Sequence, residues 1–506
     1  MKYLSICAWA IWLCSCVSVS EKYPTPKPFH SIENEIESNI RVPVIITNIP
    51  SKKHTIQERM ARHKVPGVSI ALIEDGKLIL AKGYGVLKAG TNIPVTAKTQ
   101  FQAASISKPF TALGIMALVK KGILDLDTDV NDYLKTWQIP RNAFTKNEKV
   151  TIRRLLSHTA GLTDGNGFPG YKVGDELPTL VEILKGKSLR VNSKPVTVGE
   201  IPGRYFQYSG GGYQILQLLI EETAGKPFED YMSETILQPL GMLDSSFKYP
   251  TTKERLRVTA SAHNKDQVVP NKWHIYPEKA AAALWSTPTD LAKVLVEIYE
   301  CAYTANENYL TKIIGEKLCK DLLEGKEWPL KSGSTRGMGL GFQVATKPFG
   351  KEFHHGGSNE GVMCNFRGLH SRGKLFGTVV MTNSDKGYHV IDEIEKTFDD
   401  IAGLNPHDPV KRQIANIDYN ILKLRIGSIY KNEKMTLTVI ENNGGLAMID
   451  SRDSPPDPLE IYPESDTVFF DLKGGKHTFS ESDYTWTTPG KSPENIVFKK
   501  VTQRLK

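Results

Sequence analysis

Residues 102–110 read QAASISKPF, and the reading of Ser105 and Lys108 within them decides the fold. A serine three residues before a lysine also occurs at Ser245–Lys248, Ser371–Lys374 and Ser428–Lys431, so the spacing alone carries little. Context separates the four. Only Ser105 opens a long apolar run, Phe110, Leu113, Met116, Ala117 and Leu118, which Lys120-Lys121-Gly122 closes in the manner of a helix C-terminus. On a helix the i+3 side chain lies one turn away on the same face, so Lys108 reaches Ser105 Oγ while Ser107 points elsewhere. A serine hydroxyl is a poor nucleophile until a neighbouring base takes its proton. At a helix start, behind the small residues Ala103 and Ala104, it also gains an open approach and a dipole that favours developing negative charge. A helix cap followed by an exposed lysine is the competing reading of the same residues.

Outward from this stretch the pattern changes in order. VPGVSIALIEDGKLILAKGYG, from Val65, is two β-type runs flanking the hairpin signal Glu74-Asp75-Gly76-Lys77. Between about 120 and 300 helical and loop signals dominate, with one clear helix in YQILQLLIEETAG closed by Gly225. Strand-type runs return at GMGLGFQVA and KLFGTVVMTN. A sheet drawing strands from both ends of the body, with a helical region inserted between, accounts for that order. From about residue 405 short β-type runs alternate with Gly, Pro, Asn and Asp turns, which predicts a separate antiparallel barrel or sandwich. The expected boundaries are 1–20, 21–51, 52–404 and 405–506.

QAASISKPF resembles the first active-site motif of the serine β-lactamase and penicillin-binding-protein superfamily, in its class C-like branch. That branch also includes D-Ala-D-Ala carboxypeptidases, D-aminopeptidases and esterases. Its Tyr-x-Asn motif is matched in part by Tyr208-Ser209-Gly210, and its Lys- or His-x-Gly motif by His355-Gly356-Gly357. LLSHTAGL (155–162), LWSTPTDLA (284–292) and GLGF (339–342) follow in the family's order, and the resemblance runs over roughly residues 52–400. It implies an α/β (α+β) fold, an antiparallel sheet flanked by helices. Ser105 would be the nucleophile of an acyl-enzyme, and Lys108 and Tyr208 would share the proton transfers. The backbone N–H groups of Ser105 and Ser358 would form the oxyanion hole. His355 would contact the proton network or a substrate carboxylate as a polar or cationic group, and Gly357 would let substrate lie close to the strand. An appended β domain in relatives can shape the mouth of the site, so residues 410–506 are expected to restrict access.

Other readings stand beside these. Tyr208 before three glycines also reads as a packing residue, and His354 and His355 as neighbours facing opposite sides of a strand. His158 reads as a structural turn residue rather than a base. No HExxH occurs, and neither metal nor organic cofactor is expected. The departure at Gly210 removes the amide that would hold a substrate's acylamido group, a contact of about 1 kcal/mol. That shifts the expectation from β-lactams and stem peptides toward esters and small amides. A D-Ala-D-Ala carboxypeptidase or β-lactamase, and a catalytically silent envelope scaffold, are the alternatives.

The first 20 residues carry Lys2, an apolar run ending at Leu13 and then small residues, as in a signal peptide too short to span a bilayer. Leu13-Cys14-Ser15-Cys16 resembles a lipoprotein box with Cys16 lipidated, and cleavage after Ser20 is the rival reading. An exported protein is expected, in the bacterial envelope or secreted, with a membrane association only through that anchor. Residues 21–51 read as a tether. Cys301, Cys319 and Cys364 remain in the body, and a Cys301–Cys319 disulfide is open on sequence grounds. With 64 basic and 56 acidic residues the net charge is +8, unclustered, which excludes a nucleic-acid footprint and leaves a small ester, amide or peptide as the expected partner.

Overall fold

The computed structural model describes residues 29–50, 53–164, 168–304, 306–404, 410–452, 458–488 and 494–501. The leader expected over 1–20, with Cys16, lies outside them. The stretch expected as a tether departs from expectation. It contains helix α1 (Phe29–Ser38) and strand β1 (Val44–Ile46). Ile32 and Ile36, four residues apart on one helix face, enter a core cluster with Ile40. Apolar burial outweighs the prolines that precede it.

Helix α2 (Ile56–Arg62) starts at Thr55 with a reciprocal capping box to Glu58. Strands β2 (Gly67–Glu74) and β3 (Lys77–Gly85) form the expected hairpin, with Asp75 and Gly76 at φ 54° and 71°. Two positive φ values are what a tight hairpin turn of this hand needs. Strand β4 (Phe101–Ala104) then leads into helix α3 (Ser107–Lys120). Its residues from Ser107 to Leu118 are buried on every side, so α3 runs through the centre of the core.

The inserted region contributes strand β5 (Tyr171–Lys172), helix α4 (Gly210–Ala224), strand β6 (His274–Ile275), the single turn α5 (Lys279–Ala282), strand β7 (Leu284–Ser286), and helices α6 (Pro288–Tyr303) and α7 (Glu316–Leu323). Gly225, left-handed at φ 67°, ends α4. Cys301 of α6 and Cys319 of α7 are disulfide-bonded, with Cα atoms 5.8 Å apart.

Strands β8 (Lys326–Pro329), β9 (Thr335–Met338), β10 (Gln343–Lys347), β11 (Gly350–Asn359), β12 (Val362–Ser371) and β13 (Lys374–Thr382) complete an eight-stranded sheet in the order β8-β9-β10-β11-β12-β13-β2-β3. Both ends of the body therefore supply strands, joined where β13 pairs antiparallel with β2. Side chains alternate across this sheet and divide the core. Ala71, Ile73, Val379 and Met381 face α3, α4 and α6, whereas Val68, Ile70, Leu72 and Val380 face α1, α2 and helix α8 (Gly387–Ile401).

Strand β14 (Val410–Arg412) pairs parallel with β1. The C-terminal strands β15 (Ile429–Lys431), β16 (Thr436–Asn442), β17 (Gly445–Asp450), β18 (Leu459–Pro463), β19 (Val468–Phe470), β20 (Lys476–Phe479), β21 (Asp483–Thr487) and β22 (Asn495–Lys500) form a closed barrel with its own apolar core. Closure comes from the pairing of Tyr430 with Lys500.

Candidate active site

Ala104 sits at φ 49°, in the left-handed region that a residue with a Cβ rarely adopts. A bulge between Gln102 and Ala104, where β4 pairs with β7, turns the chain there. Strain of this kind costs ~1–3 kcal/mol and persists only when the surroundings enforce it. The enforcement comes from Ser107, whose hydroxyl donates to Ala104 O at 2.6 Å and accepts from Leu284 N–H at 2.9 Å. Ser105 thus lies two residues ahead of α3 rather than inside it, with its carbonyl accepting from Lys108 N–H at 3.0 Å.

The i+3 spacing brings Lys108 to Ser105 as expected. Lys108 Nζ stands 3.1 Å from Ser105 Oγ and donates to Ala281 O at 2.9 Å. The lysine is only 2% exposed, and its ammonium lies 5.0 Å from the centre of the Tyr208 ring. Thr111 Oγ1 donates to Ala280 O, so α5 is clamped against α3 by two neighbouring side chains. Exposed-cap behaviour is thereby excluded for Lys108.

Tyr208 precedes α4 and is held from both sides. His158, at φ 58°, accepts from Ser209 N–H through Nδ1 at 3.1 Å, and its carbonyl accepts from Gln207 N–H at 2.8 Å. Its ring lies against Tyr208 with centroids 4.3 Å apart. Burial, with the Lys108 charge nearby, pushes His158 well below its usual range. A neutral imidazole with Nδ1 accepting is a supporting strut, in line with its reading as a turn residue. Asp164 completes the support, since its carboxylate accepts from Ser209 Oγ–H at 2.6 Å and from Gly211 N–H at 2.7 Å. Sequence reasoning missed Asp164. Its signal was the acidic residue in GLTDG just after LLSHTAGL, but it acts more than 40 residues along the chain.

His355 on β11 lies 6.2 Å from Tyr208, ring centre to ring centre. Of the two readings, polar or cationic, the surroundings of His355 favour the polar one. Burial and the Lys108 charge push His355 down to about 3, so the ring is neutral at physiological pH. Its Nδ1–H donates to Gly356 O at 2.6 Å, which leaves Nε2 as a buried acceptor without a partner. Gly357 is required by packing as well. A Cβ there would stand 2.3 Å from Ala103 O and 2.5 Å from Cys364 Sγ. The residue is small because β4 and Cys364 press on it, and so it locks Ser105's strand to the third motif. Ser358, next along β11, is exposed, while Asn359 donates to Gln102 Oε1 at 2.8 Å and to Ala282 O at 3.1 Å.

Gly210 is the first residue of α4, and a Cβ at that position would lie 2.5 Å from Phe168 Cε2. Beside Tyr208 a groove of about 660 Å³ is lined by Phe206, Leu330, Lys331, Arg336 and Gln343. Among the described residues, no group of three or more His, Cys, Asp and Glu is placed to hold a metal ion.

An antiparallel sheet with a central buried helix, and a serine, lysine, tyrosine and histidine brought together at its edge, define a serine hydrolase of the β-lactamase and penicillin-binding-protein kind. The chain belongs to the Beta-lactamase family, whose model matches residues 53–396. Protein flp of Staphylococcus aureus (strain N315) is 28% identical over 205 residues, which is 40% of this chain and 38% of that protein. The chain is thus matched over less than half of that relative's length. Penicillin-binding protein 4* of Bacillus subtilis (strain 168) is 24% identical over 433 residues, covering 81% of this chain and 88% of its own. Among solved structures, the octameric penicillin-binding protein homologue from Pyrococcus abyssi superposes with a TM-score of 0.57 at 24% identity, over 88% of this chain and 98% of that one. A β-lactamase/D-alanine carboxypeptidase from Yersinia pestis, complexed with citrate, gives 0.52 at 16% identity, over 68% and 95%. At these identities the structural likenesses speak to the fold.

Proposed function

We propose that this protein is an exported hydrolase that cleaves esters or small amides through an acyl intermediate on Ser105. The observation that carries the reading is the 3.1 Å approach of buried Lys108 Nζ to Ser105 Oγ, beside Tyr208. Ser105 Oγ attacks the substrate carbonyl carbon, and its proton passes into the Lys108–Tyr208 pair. The resulting oxyanion is held by the backbone N–H groups of Ser105 and Ser358. The leaving alcohol or amine takes up the proton as its bond to the carbonyl carbon breaks. Water then attacks the acyl carbon, the same groups relay its proton, and Ser105 is released with the carboxylate product.

Two features favour esters and simple amides over peptidoglycan-type amides. Gly210 offers no side-chain amide to an acylamido group, and neutral His355 offers no charge to a carboxylate. The likeness to a penicillin-binding protein and to a β-lactamase/D-alanine carboxypeptidase keeps the carboxypeptidase and β-lactamase reading as the rival.

Intact mass of the protein from Glu21 onward, after mixing with p-nitrophenyl acetate or benzylpenicillin, tests this. Ester turnover, with a transient acyl adduct that Ser105→Ala lacks, is the expected result. A stable penicillin adduct on Ser105 would favour the rival. No adduct with either reagent and no turnover would leave a catalytically silent scaffold.

A further inference from the structure

Next to Gly210 the site carries the ring of Phe168 where an amide side chain would otherwise stand. Phe168 Cε2 and Cζ lie 2.5 and 2.6 Å from where a Cβ of residue 210 would stand, so no side chain fits at 210 while Phe168 keeps its place. The ring occupies the volume that an amide at that position would need.

The segment carrying Phe168 is pinned along its length. Pro169 O faces His274 Nδ1 at 2.9 Å, Gly170 O accepts from Asn192 Nδ2–H at 2.8 Å, and Tyr171 pairs with Ile275. Gly170, at φ 71°, passes so close to Tyr276 that a Cβ would stand 2.7 Å from the ring. Tyr276 OH in turn accepts from Glu360 N–H, just past the end of β11. The Phe168 segment is thereby connected, through Gly170 and Tyr276, to the residue that follows the strand of the third motif.

The neighbouring amide is already committed. Gln102 donates to His274 O at 2.8 Å and accepts from Asn359 at 2.8 Å. A substrate acylamido group would meet a phenyl face here, and its N–H and C=O would lose water without gaining partners, an unfavourable exchange. An unsubstituted apolar acyl chain loses nothing polar and gains contact with the ring.

We infer that Phe168 sets the acyl specificity of the site, taking the space of a residue-210 side chain and selecting apolar, unsubstituted acyl groups over N-acylated amino-acyl groups. This rests on the ester reading above. The test is the ratio of kcat/KM for p-nitrophenyl butyrate to that for the p-nitrophenyl ester of N-acetylglycine, in wild type, Phe168→Ala, Phe168→Leu and Phe168→Ala/Gly210→Asn. The ratio in Phe168→Ala should fall by about tenfold, mainly through a higher KM for butyrate. Phe168→Leu, which keeps apolar bulk, should stay within about threefold of wild type, and the double variant should fall below Phe168→Ala as the restored amide meets the acylamido group. Thermal unfolding of each variant separates loss of fold from loss of preference, and Phe168→Leu provides the ratio if Phe168→Ala is unfolded: a collapse to the N-acetylglycine preference there would also refute the assignment. A wild-type enzyme that hydrolyses both esters, with the ratio unmoved in Phe168→Ala and the double variant, would overturn the role of Phe168 alone. No turnover of either ester by wild type would overturn the ester reading, and the specificity assignment with it.

Discussion

Glu278, immediately before α5, has no exposed surface and no hydrogen-bond partner on either carboxylate oxygen. Burial pushes it up to about 8, against about 7 for buried Glu395. A carboxyl that is protonated in the folded chain and ionised in the unfolded one makes the folded state the better proton binder between those two values. Its stabilising effect is complete below the unfolded value near 4.5 and is lost as pH rises through the folded one. His355 and His389, lowered to about 3 and 4, act oppositely, losing stability as pH falls from 6.5. Between pH 7.5 and 8 the histidines, mostly deprotonated in the unfolded chain as well, contribute little, and Glu278 dominates. Stability should therefore fall with rising pH across that window, by up to ~1.4 kcal/mol per pH unit for one proton. Glu278→Gln should flatten the slope, read from urea unfolding midpoints at pH 7.0, 7.5 and 8.0; an unchanged slope would show that Glu278 is ionised in the fold. At this scale the Ser105–Lys108 contact was legible because i,i+3 is a local relation. Glu278 was not, since within YPEKAAA it is indistinguishable from a surface glutamate and its burial is decided by the tertiary fold, which also brings its charge near Tyr276 and Tyr171.

The element that matters most to the site is the start of α4, where three glycines cannot themselves hold Tyr208 in place. Asp164 supplies what they lack by accepting from both Ser209 Oγ–H and Gly211 N–H in a buried setting. Replacing it with alanine leaves both donors without an acceptor, at ~1–3 kcal/mol. Asp164→Ala should lower the thermal midpoint and also reduce kcat for an ester by more than tenfold with little change in KM, because Tyr208 loses its fixed position. A lowered midpoint with unaltered kcat would confine Asp164 to stability. The Cys301–Cys319 bridge ties α6 to α7 across a separation of 18 residues, worth ~3 kcal/mol by loop entropy. Dithiothreitol should lower the midpoint correspondingly while leaving the Ser105 geometry, which neither helix end touches, catalytically intact. The helix α4 and its C-terminal glycine were readable from periodicity alone. The misread tether shows the converse, because α1 has little apolar signal beyond Ile32 and Ile36, with Ile40 just past its end, and these residues become decisive only once a sheet face exists to receive them.

Across the whole molecule, the sheet separates the catalytic side from the barrel side. Ser105 and α3 lie on one face, whereas α2 and α8 lie on the other. The barrel is tied to that second side. Arg412 pairs with Glu464 at 2.8 Å, Lys473 adds its charge beside His389 of α8, and Arg62 at the end of α2 lies near Tyr462. A barrel held there supports the body from behind the sheet, and the expectation that residues 410–506 restrict access finds no support in these ties. The barrel's sequence revealed its strands through turn residues, but where it docks depends on long-range contacts, such as the Arg412–Glu464 pair and the bond from Ala415 N–H to Pro463 O, that carry no local signature. Inside the barrel, His477 Nε2 faces Asp471 Oδ2 at 2.8 Å and Nδ1 faces the Tyr484 hydroxyl at 2.6 Å, all three buried. Burial alone would raise Asp471, but the bond from His477 holds its carboxyl below the usual range. Asp471→Asn keeps the shape and removes the charge-assisted bond, costing ~1–3 kcal/mol within the barrel. Because that core is separate from the two flanking the sheet, calorimetry should resolve two transitions. Only one should move in Asp471→Asn, and kcat/KM for p-nitrophenyl acetate should stay within about twofold of wild type. A single transition that shifts as a whole, accompanied by loss of activity, would instead make the barrel and the catalytic body one cooperative unit.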